Sequence, residues 1–365
     1  MLTREIAKTI VIETSLRLNR NVNIMNHHGV IIASGNTTRI DHIHEGALEV
    51  LKQQEPLKIF PNEDGKWRGS QPGLNLPISF QDQIVGVIGI TGNPDDMEDV
   101  GGVVKMATEL MIKQEYIASQ MEWKQRTKEM VIEELIKADP SFEHVNRGLN
   151  LLGITLSPPY ITYIIQMTER RISNTALIKK IEQILGEKDP LVGFINVNRL
   201  CITCYGITES ESEIQLEKLY YELKKLPLSF RLSYSIPFQI IERFSQSYKD
   251  CDLALEISDK DQEIISFADI EAKALLYQIK PNIAERFSER IINNSILKYT
   301  ETIECFFKKN LKIQQTADEM YIHRNTLIYR LNKIKEETGY DPKCFRDALT
   351  LQFAIWISHK NKVET

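Results

Sequence analysis

Apolar positions along the first eighteen residues recur at helical spacing: Ile6, Ala7, Ile10, Val11 and Leu18 share one face. Alternation then takes over. Asn21–Asn26 and Val30–Ser34 flank the turn His27-His28-Gly29 and predict a β-hairpin. A short helix is expected at 44–51, and strands at 57–60, 74–80 and 84–91, with Gln81-Asp82-Gln83 turning between the last two. Antiparallel strands with short helices on one side predict a small α+β domain. Gly29, Gly35, Gly73, Gly86, Gly89 and Gly92 are a large share of the chain's 17 glycines. Those that are not turns leave room for backbone to approach a ligand closely.

From Asp95 to Lys137 one long helical pattern runs without proline, and without glycine after Gly102. Val103, Ala107, Leu110, Gln114, Ile117 and Met121 step alternately by four and three, a short coiled-coil seam with Gln114 as its polar position. The seam loses its apolar character at Lys124 and Lys128 before Val131 and Leu135 restore it. A dimerising connector and a helix packed on its own domain both fit; the spacing favours the connector.

Between Ser141 and Ala268 the pattern is α/β. Strands are expected at Tyr160–Gln166, Leu191–Ile195, Leu200–Tyr205 and Phe230–Ser235, and helices at Asn174–Leu185, Ser212–Lys225 and Phe244–Ile257. A hairpin with flanking helices resembles the nucleotide cyclases. Those enzymes carry acidic metal ligands and a Gly-Gly-Asp/Glu-Glu-Phe loop at the hairpin tip, whereas this tip reads Asn196-Val197-Asn198-Arg199 and offers no carboxylate for magnesium. The domain reads as catalytically silent, with no catalytic residue and no cofactor expected.

The last segment carries the sharpest signal. Ile313, Ala317 and Met320 lie on one face of a two-turn helix, Tyr321-Ile322 make a turn, and Leu327, Leu331 and Ile334 form the buried stripe of a second helix over 323–335. Asn325, Tyr329, Asn332 and Lys333 point away from that stripe, Arg324 and Thr326 sit on its first turn, and Arg330 is on a flank. Gly339 ends the helix, and Asp341-Pro342 is expected to begin another. This is helix-turn-helix geometry, in which the second helix presents its N-terminal residues to the major groove. Between Lys308 and Lys335 seven lysines and arginines face two acids, on a chain of net charge −5. A basic module on an acidic protein is what phosphate binding requires. Arg324, Asn325, Thr326 and Tyr329 are expected at base edges, and Arg330 and Lys333 nearer phosphates. Lys333→Ala is expected to lower the salt slope of binding by about one.

Composition narrows the remainder. At 365 residues, 42% hydrophobic and 26% charged, the chain reads as globular with two or three domains. Its acidic balance excludes chain-wide attraction to nucleic acid or anionic membrane. The five cysteines are too few and scattered for a disulfide framework, and Cys201 and Cys204 lie in an apolar strand without a second pair at zinc spacing. No metal site is expected. The start lacks a signal-peptide core and no stretch reaches about 18 apolar residues, so the chain reads as cytoplasmic, without a membrane partner.

The run Tyr321-Ile322-His323-Arg324-Asn325-Thr326-Leu327-Ile328-Tyr329-Arg330-Leu331, followed by Thr338-Gly339, resembles the C-terminal helix-turn-helix of purine-catabolism-type regulators. Independently, Ala33-Ser34, Arg39-Ile40, His44-Glu45-Gly46-Ala47, Gly73-Leu74-Asn75-Leu76-Pro77 and Gly86–Gly92 resemble the recognition domain of the carbohydrate diacid regulator family. Asp41 departs from that pattern, since glycine commonly follows Arg-Ile there, and an acid is expected to weaken anion binding. The resemblance implies a transcriptional activator induced by glycerate, glucarate or galactarate; the short seam points to a homodimer. It implies ligand contacts at Ser34, Arg39, Ile40, His44, Gly73, Leu74, Asn75, Gly89 and Thr91. Arg39 suits a bidentate carboxylate contact, and His44 lies near a helix start whose free N–H groups favour anions. A surface salt bridge for Arg39 and a capping or core role for His44 remain the plainer readings of those residues alone. The architecture expected is α+β and multidomain: a PAS- or Cache-like α+β sensor over 1–114, a connecting helix over 115–140, an α/β GGDEF-like domain over 141–268, and an all-α helix-turn-helix domain over 269–365. The rivals are a cyclase-type enzyme and a regulator answering to another metabolite or a protein partner.

Overall fold

Thr3 opens the first helix: its side chain accepts from the Ile6 N–H and caps α1 (Arg4–Leu18). The structure, a computed structural model, describes residues 2–63, 66–186 and 189–363. β1 (Val22–Asn26) and β2 (Ile31–Ser34) form the expected hairpin. The Asn26 side chain accepts from the N–H groups of His28 and Val30, and Gly29 takes φ +73°, so the two histidines belong to a turn. Next come α2 (Glu45–Gln53), β3 (Leu57–Ile59), β4 (Gly73–Phe80) and β5 (Gln83–Thr91). The five strands pair in the order β2-β1-β5-β4-β3, all antiparallel.

Alternation along the strands splits the sheet's two faces. Val22, Ile24, Leu74, Leu76, Ile88 and Ile90 meet α1 and the first half of α3 (Glu98–Ile136) in one core. Met25, Ile31 and Val87 meet Ala47 and Val50 of α2 in another. Along α3, Val104, Thr108 and Ile112 are buried, while Val103, Leu110, Ile117 and Met121 of the predicted seam stay exposed by 60, 57, 44 and 52%.

The chain divides into the units Met1–Arg126 and Thr127–Thr365. The second unit begins with the last residues of α3, then α4 (Phe142–Leu152), β6 (Tyr160–Arg170), α5 (Asn174–Leu185), β7 (Leu191–Asn196), β8 (Arg199–Tyr205), α6 (Glu209–Lys224), β9 (Leu228–Tyr234), α7 (Phe244–Ile257) and β10 (Ile264–Ser266). Its sheet runs β10-β9-β6-β8-β7, with β10 parallel to β9 and the rest antiparallel. Cys201 and Cys204 are three residues apart on one strand, so they face opposite sides and enter different cores. Burial pushes both thiols up to about 12, which keeps them protonated and inert.

From sequence, Lys128 interrupts an apolar seam. In the fold its ammonium is buried, 5% exposed, and lies 2.8 Å from Glu182 and 2.5 Å from Asp189 while donating to the Pro190 carbonyl. Val131, Ile132 and Leu135 join the central core beside it. The end of α3 is thereby bolted to the second unit.

α8 (Phe267–Tyr277), α9 (Pro281–Ile291), α10 (Asn294–Lys308), α11 (Ile313–Glu319), α12 (Arg324–Thr338) and α13 (Phe345–Val363) complete the chain. Ala317, Leu327, Leu331 and Ile334 pack with Ile303, Phe306, Leu351 and Ile355. The helix expected at Asp341 starts later, at Phe345, because the Asp341 side chain accepts from the Lys343 N–H and its carbonyl from the Cys344 N–H, making a turn. Among the described residues no helix is long and apolar enough to cross a membrane.

Candidate functional site

Register assembles a polar row on the α2 side of the first sheet. Ser34 pairs with Asn23, Asn23 with Gly89, and Gly89 with Asn75, so the four lie abreast across β2, β1, β5 and β4. Gly73 pairs with Thr91 two positions along. α2 covers only the apolar end of this face, and beyond its N-terminus a cavity of about 10 Å³ remains, room for roughly one water. Arg39, His44, Gly73, Asn75, Gly89 and Thr91 line it, as do Asn23 and Gln71, which motif reasoning missed. A Cβ on Gly89 would stand 2.7 Å from Asn75 Oδ1, so a larger residue there would push the Asn75 amide aside.

Several lining groups still have hydrogen bonds to offer. Asn75 lines the cavity, and among the described residues its amide makes no hydrogen bond, leaving it free to meet water or a ligand there. Arg39 is half-buried and donates from Nη1 to Gln71 Oε1 at 3.0 Å and from Nη2 to the Gly69 carbonyl at 2.6 Å. Among the described residues no carboxylate pairs with it, which leaves part of its five-donor fork free. Burial lowers its pKa from the ordinary arginine value.

His44 caps α2 through Nδ1, which accepts from the Ala47 N–H at 3.1 Å, so the proton of the neutral ring sits on Nε2. The Gly46 N–H donates to Ser70 Oγ and the Glu45 N–H to the Arg68 carbonyl. The first N–H groups of α2 are therefore already taken, and the free N–H groups expected to attract an anion are not available. Side chains have to do that work. Burial, with the Arg39 charge second, pulls the His44 pKa from 6.5 to about 4. The neutral ring thus contributes its full stability above pH 6.5 and loses it as pH falls towards 4. The sensor unit is expected to lose about 2 kcal/mol between pH 6.5 and 4.5 by calorimetry. His44→Asn, which can still cap α2, should remove that part of the slope; an unchanged slope would contradict the assignment.

Three residues implied by the resemblance lie apart from the cavity. Ser34 is next to it, donating to Asn23 Oδ1 at 2.6 Å. Leu74 projects to the opposite face, into the core with α1 and α3, because strand neighbours alternate. Ile40 closes a short 3-10 turn, its carbonyl 3.2 Å from His42 Nδ1. Asp41 holds φ +69°, a conformation that favours glycine, and its carboxylate pairs with Arg4. The expected weakening of anion binding by this acid has no geometric support, since Asp41 does not line the cavity.

In the C-terminal unit His323 caps α12 by accepting from the Asn325 N–H, and Gly339 ends it in the left-handed region at φ +78°. Arg324, Asn325, Thr326 and Tyr329 are exposed on the face away from Leu327, Leu331 and Ile334. Tyr321, at φ +52° in the turn, is 97% exposed and extends this face; motif reasoning gave it only a turn role. The flank differs from expectation. Arg330 donates to Thr302 Oγ1 at 3.0 Å and stacks on Tyr299, which fixes α12 to α10. Lys333 lies 3.3 Å from Glu337 and 3.7 Å from Glu336, so a phosphate would have to displace those carboxylates.

Comparison with known proteins matches both ends of the chain. Residues 2–135 match the sugar diacid recognition family, and residues 299–357 match the PucR C-terminal helix-turn-helix domain. The carbohydrate diacid regulator of Escherichia coli is 27% identical over 98% of this chain and 98% of its own length. An uncharacterized protein of Haemophilus influenzae is 28% identical over 97% of this chain and 98% of its own. A solved structure of a regulator of polyketide synthase expression from Bifidobacterium adolescentis covers 65% of this chain and 99% of that one at 19% identity and TM-score 0.34, too distant to carry an argument. The chain thus carries a sugar diacid recognition domain at one end and a PucR-type helix-turn-helix domain at the other, and is similar along its whole length to a carbohydrate diacid regulator.

Proposed function

We propose that the protein is an effector-dependent transcriptional activator of genes for using glycerate or sugar diacids, with the effector held in the cavity between α2 and the first sheet. The observation that carries this reading is the Asn75 amide, which faces the cavity without a hydrogen bond, beside an Arg39 fork that has no carboxylate partner, both among the described residues. Both are stabilised by a ligand offering a carboxylate and hydroxyls. The sheet order β2-β1-β5-β4-β3 supports a PAS- or Cache-like sensor. The order β10-β9-β6-β8-β7, with a β7–β8 tip lacking carboxylates, supports a GGDEF-like domain that acts as a spacer and not an enzyme. The domain limits given above stand as part of the proposal, with one refinement: the connecting helix is anchored from Thr127 onward in the second unit.

The exposed seam of α3 supports a homodimer in which a second copy covers Val103, Leu110, Ile117 and Met121. Two modules would then read half-sites about one helical turn apart, in the cytoplasm where the DNA is. Arg324, Asn325, Thr326 and Tyr329 are assigned to base edges, Lys333 to a phosphate, and Arg330 chiefly to holding α12 in place. Arg324 has no ion pair among the described residues, so Arg324→Ala should weaken DNA binding by about 1–3 kcal/mol and relax sequence preference. Lys333→Ala should lower the salt slope by less than one, because Glu337 already offsets its charge. Titrations of duplex DNA at several salt concentrations check both; a larger slope change at Arg324 than at Lys333, with sequence preference relaxed at Lys333 only, would reverse the assignment.

A further inference from the structure

The turn ahead of α12 is closed without help from its own exposed side chain. The Ile322 N–H donates to the Ala317 carbonyl at 3.0 Å, and the Tyr321 N–H to the Asp318 carbonyl at 3.2 Å. Those two bonds end α11 as a Schellman motif, with Tyr321 in the left-handed position at φ +52°. Glycine is the usual residue there, because a side chain in that region crowds the backbone. Ile322 supplies the accompanying apolar contact by packing on the core of the C-terminal helices.

Among the described residues other than glycine that take positive φ, six are asparagine, aspartate or glutamine, and the other two are Leu311 and Tyr321. Packing in the same core offsets the strain at Leu311. Nothing in the fold offsets it at Tyr321, whose side chain is 97% exposed and, among the described residues, makes no hydrogen bond or ring contact. Strain of this kind is characteristic of positions that function uses. Tyr321 stands two residues before His323, the cap of α12, beside the exposed Arg324, Asn325 and Thr326. The first turn of such a helix enters the major groove. A side chain just upstream therefore meets the wall of the groove, which is sugar and phosphate.

We infer that Tyr321 is a DNA contact, its ring lying on a deoxyribose and its hydroxyl donating to a phosphate oxygen. The inference rests on the DNA-binding reading above and adds a contact without charge to it. A phenol displaces no counterion, so it fixes α12 on the duplex without adding to the salt dependence that lysines and arginines bring.

Glycine and phenylalanine at this position separate the turn from the contact. In the full chain, Tyr321→Gly should keep or raise the melting temperature, because it relaxes the backbone and removes no packing. Its affinity for a duplex enriched from a random pool should fall by about tenfold or more. Tyr321→Phe should melt with the wild type and bind about fivefold more weakly, for the hydroxyl alone. Neither change should alter the salt slope, and the loss should be the same on single-base variants of the duplex. Wild-type affinity in either variant overturns the inference and leaves the DNA-binding reading standing. A lowered melting temperature in Tyr321→Gly also overturns it, because the side chain would then be holding the turn. A loss confined to particular base variants overturns the backbone contact in favour of base reading. Failure of the wild type to bind any duplex overturns the DNA-binding reading and the inference together.

Discussion

Arg39→Ala is expected to abolish the response to acid while leaving the sensor folded. In the wild type, an acid at about a hundred times its dissociation constant should stabilise the sensor by roughly 2.7 kcal/mol. Truncating one partner of a buried, hydrogen-bonded charge pair costs about 2–5 kcal/mol of binding, enough to remove that gain at the same concentration. The unliganded protein should lose little. Arg39 has no carboxylate partner among the described residues, and its two hydrogen bonds run to the Gln71 side chain and the Gly69 carbonyl. Thermal shift and calorimetric titration of both proteins check this. A variant that unfolds without acid, or that keeps the wild-type shift, would contradict the role given to Arg39.

The second large effect concerns stability and is asymmetric. Removing both carboxylates around Lys128, as Glu182→Gln with Asp189→Asn, should destabilise the second unit by about 3–5 kcal/mol, because a buried ammonium loses its counter-charges. The lower end is expected, since Asp189 is 58% exposed and its attraction is partly screened. Lys128→Met should stay within about 1 kcal/mol, because Glu182 and Asp189 can hydrate once released and a methionine fills the same space. Urea unfolding of the full chain measures both. Equal losses in the two variants would show that Lys128 acts through packing and not through its charge.

Much of the fold is legible in the chain because its signals are local. The α1 face, the β1–β2 hairpin and the helix-turn-helix follow from spacing, turn residues and caps that lie within a few positions of one another. Other features depend on distant partners. Asn23 reads as a stray polar residue in an apolar strand until register places it between Ser34 and Gly89. Gln71 lies in a stretch without periodicity, and Ser70 occupies an N–H of α2 from 24 residues away. Lys128 reads as a break in a seam because Glu182 and Asp189 are 54 and 61 residues further on. β10, only three residues long, pairs in parallel with β9 and carries no hairpin signal. The motifs pointed to the residues around the cavity, but strand alternation decides its lining: Asn75 faces it and Leu74 does not.

The central claim is that one chain couples an acid in its first unit to DNA held by α12. It is tested most directly by selecting duplexes from a random pool with the full-length protein, then measuring affinity for the enriched duplex with and without glycerate, glucarate and galactarate. The account predicts a single enriched motif, an affinity that changes with an acid, and an Arg39→Ala protein that keeps the basal affinity but loses the change. No enriched motif, or an affinity indifferent to every acid in the wild type, would contradict it.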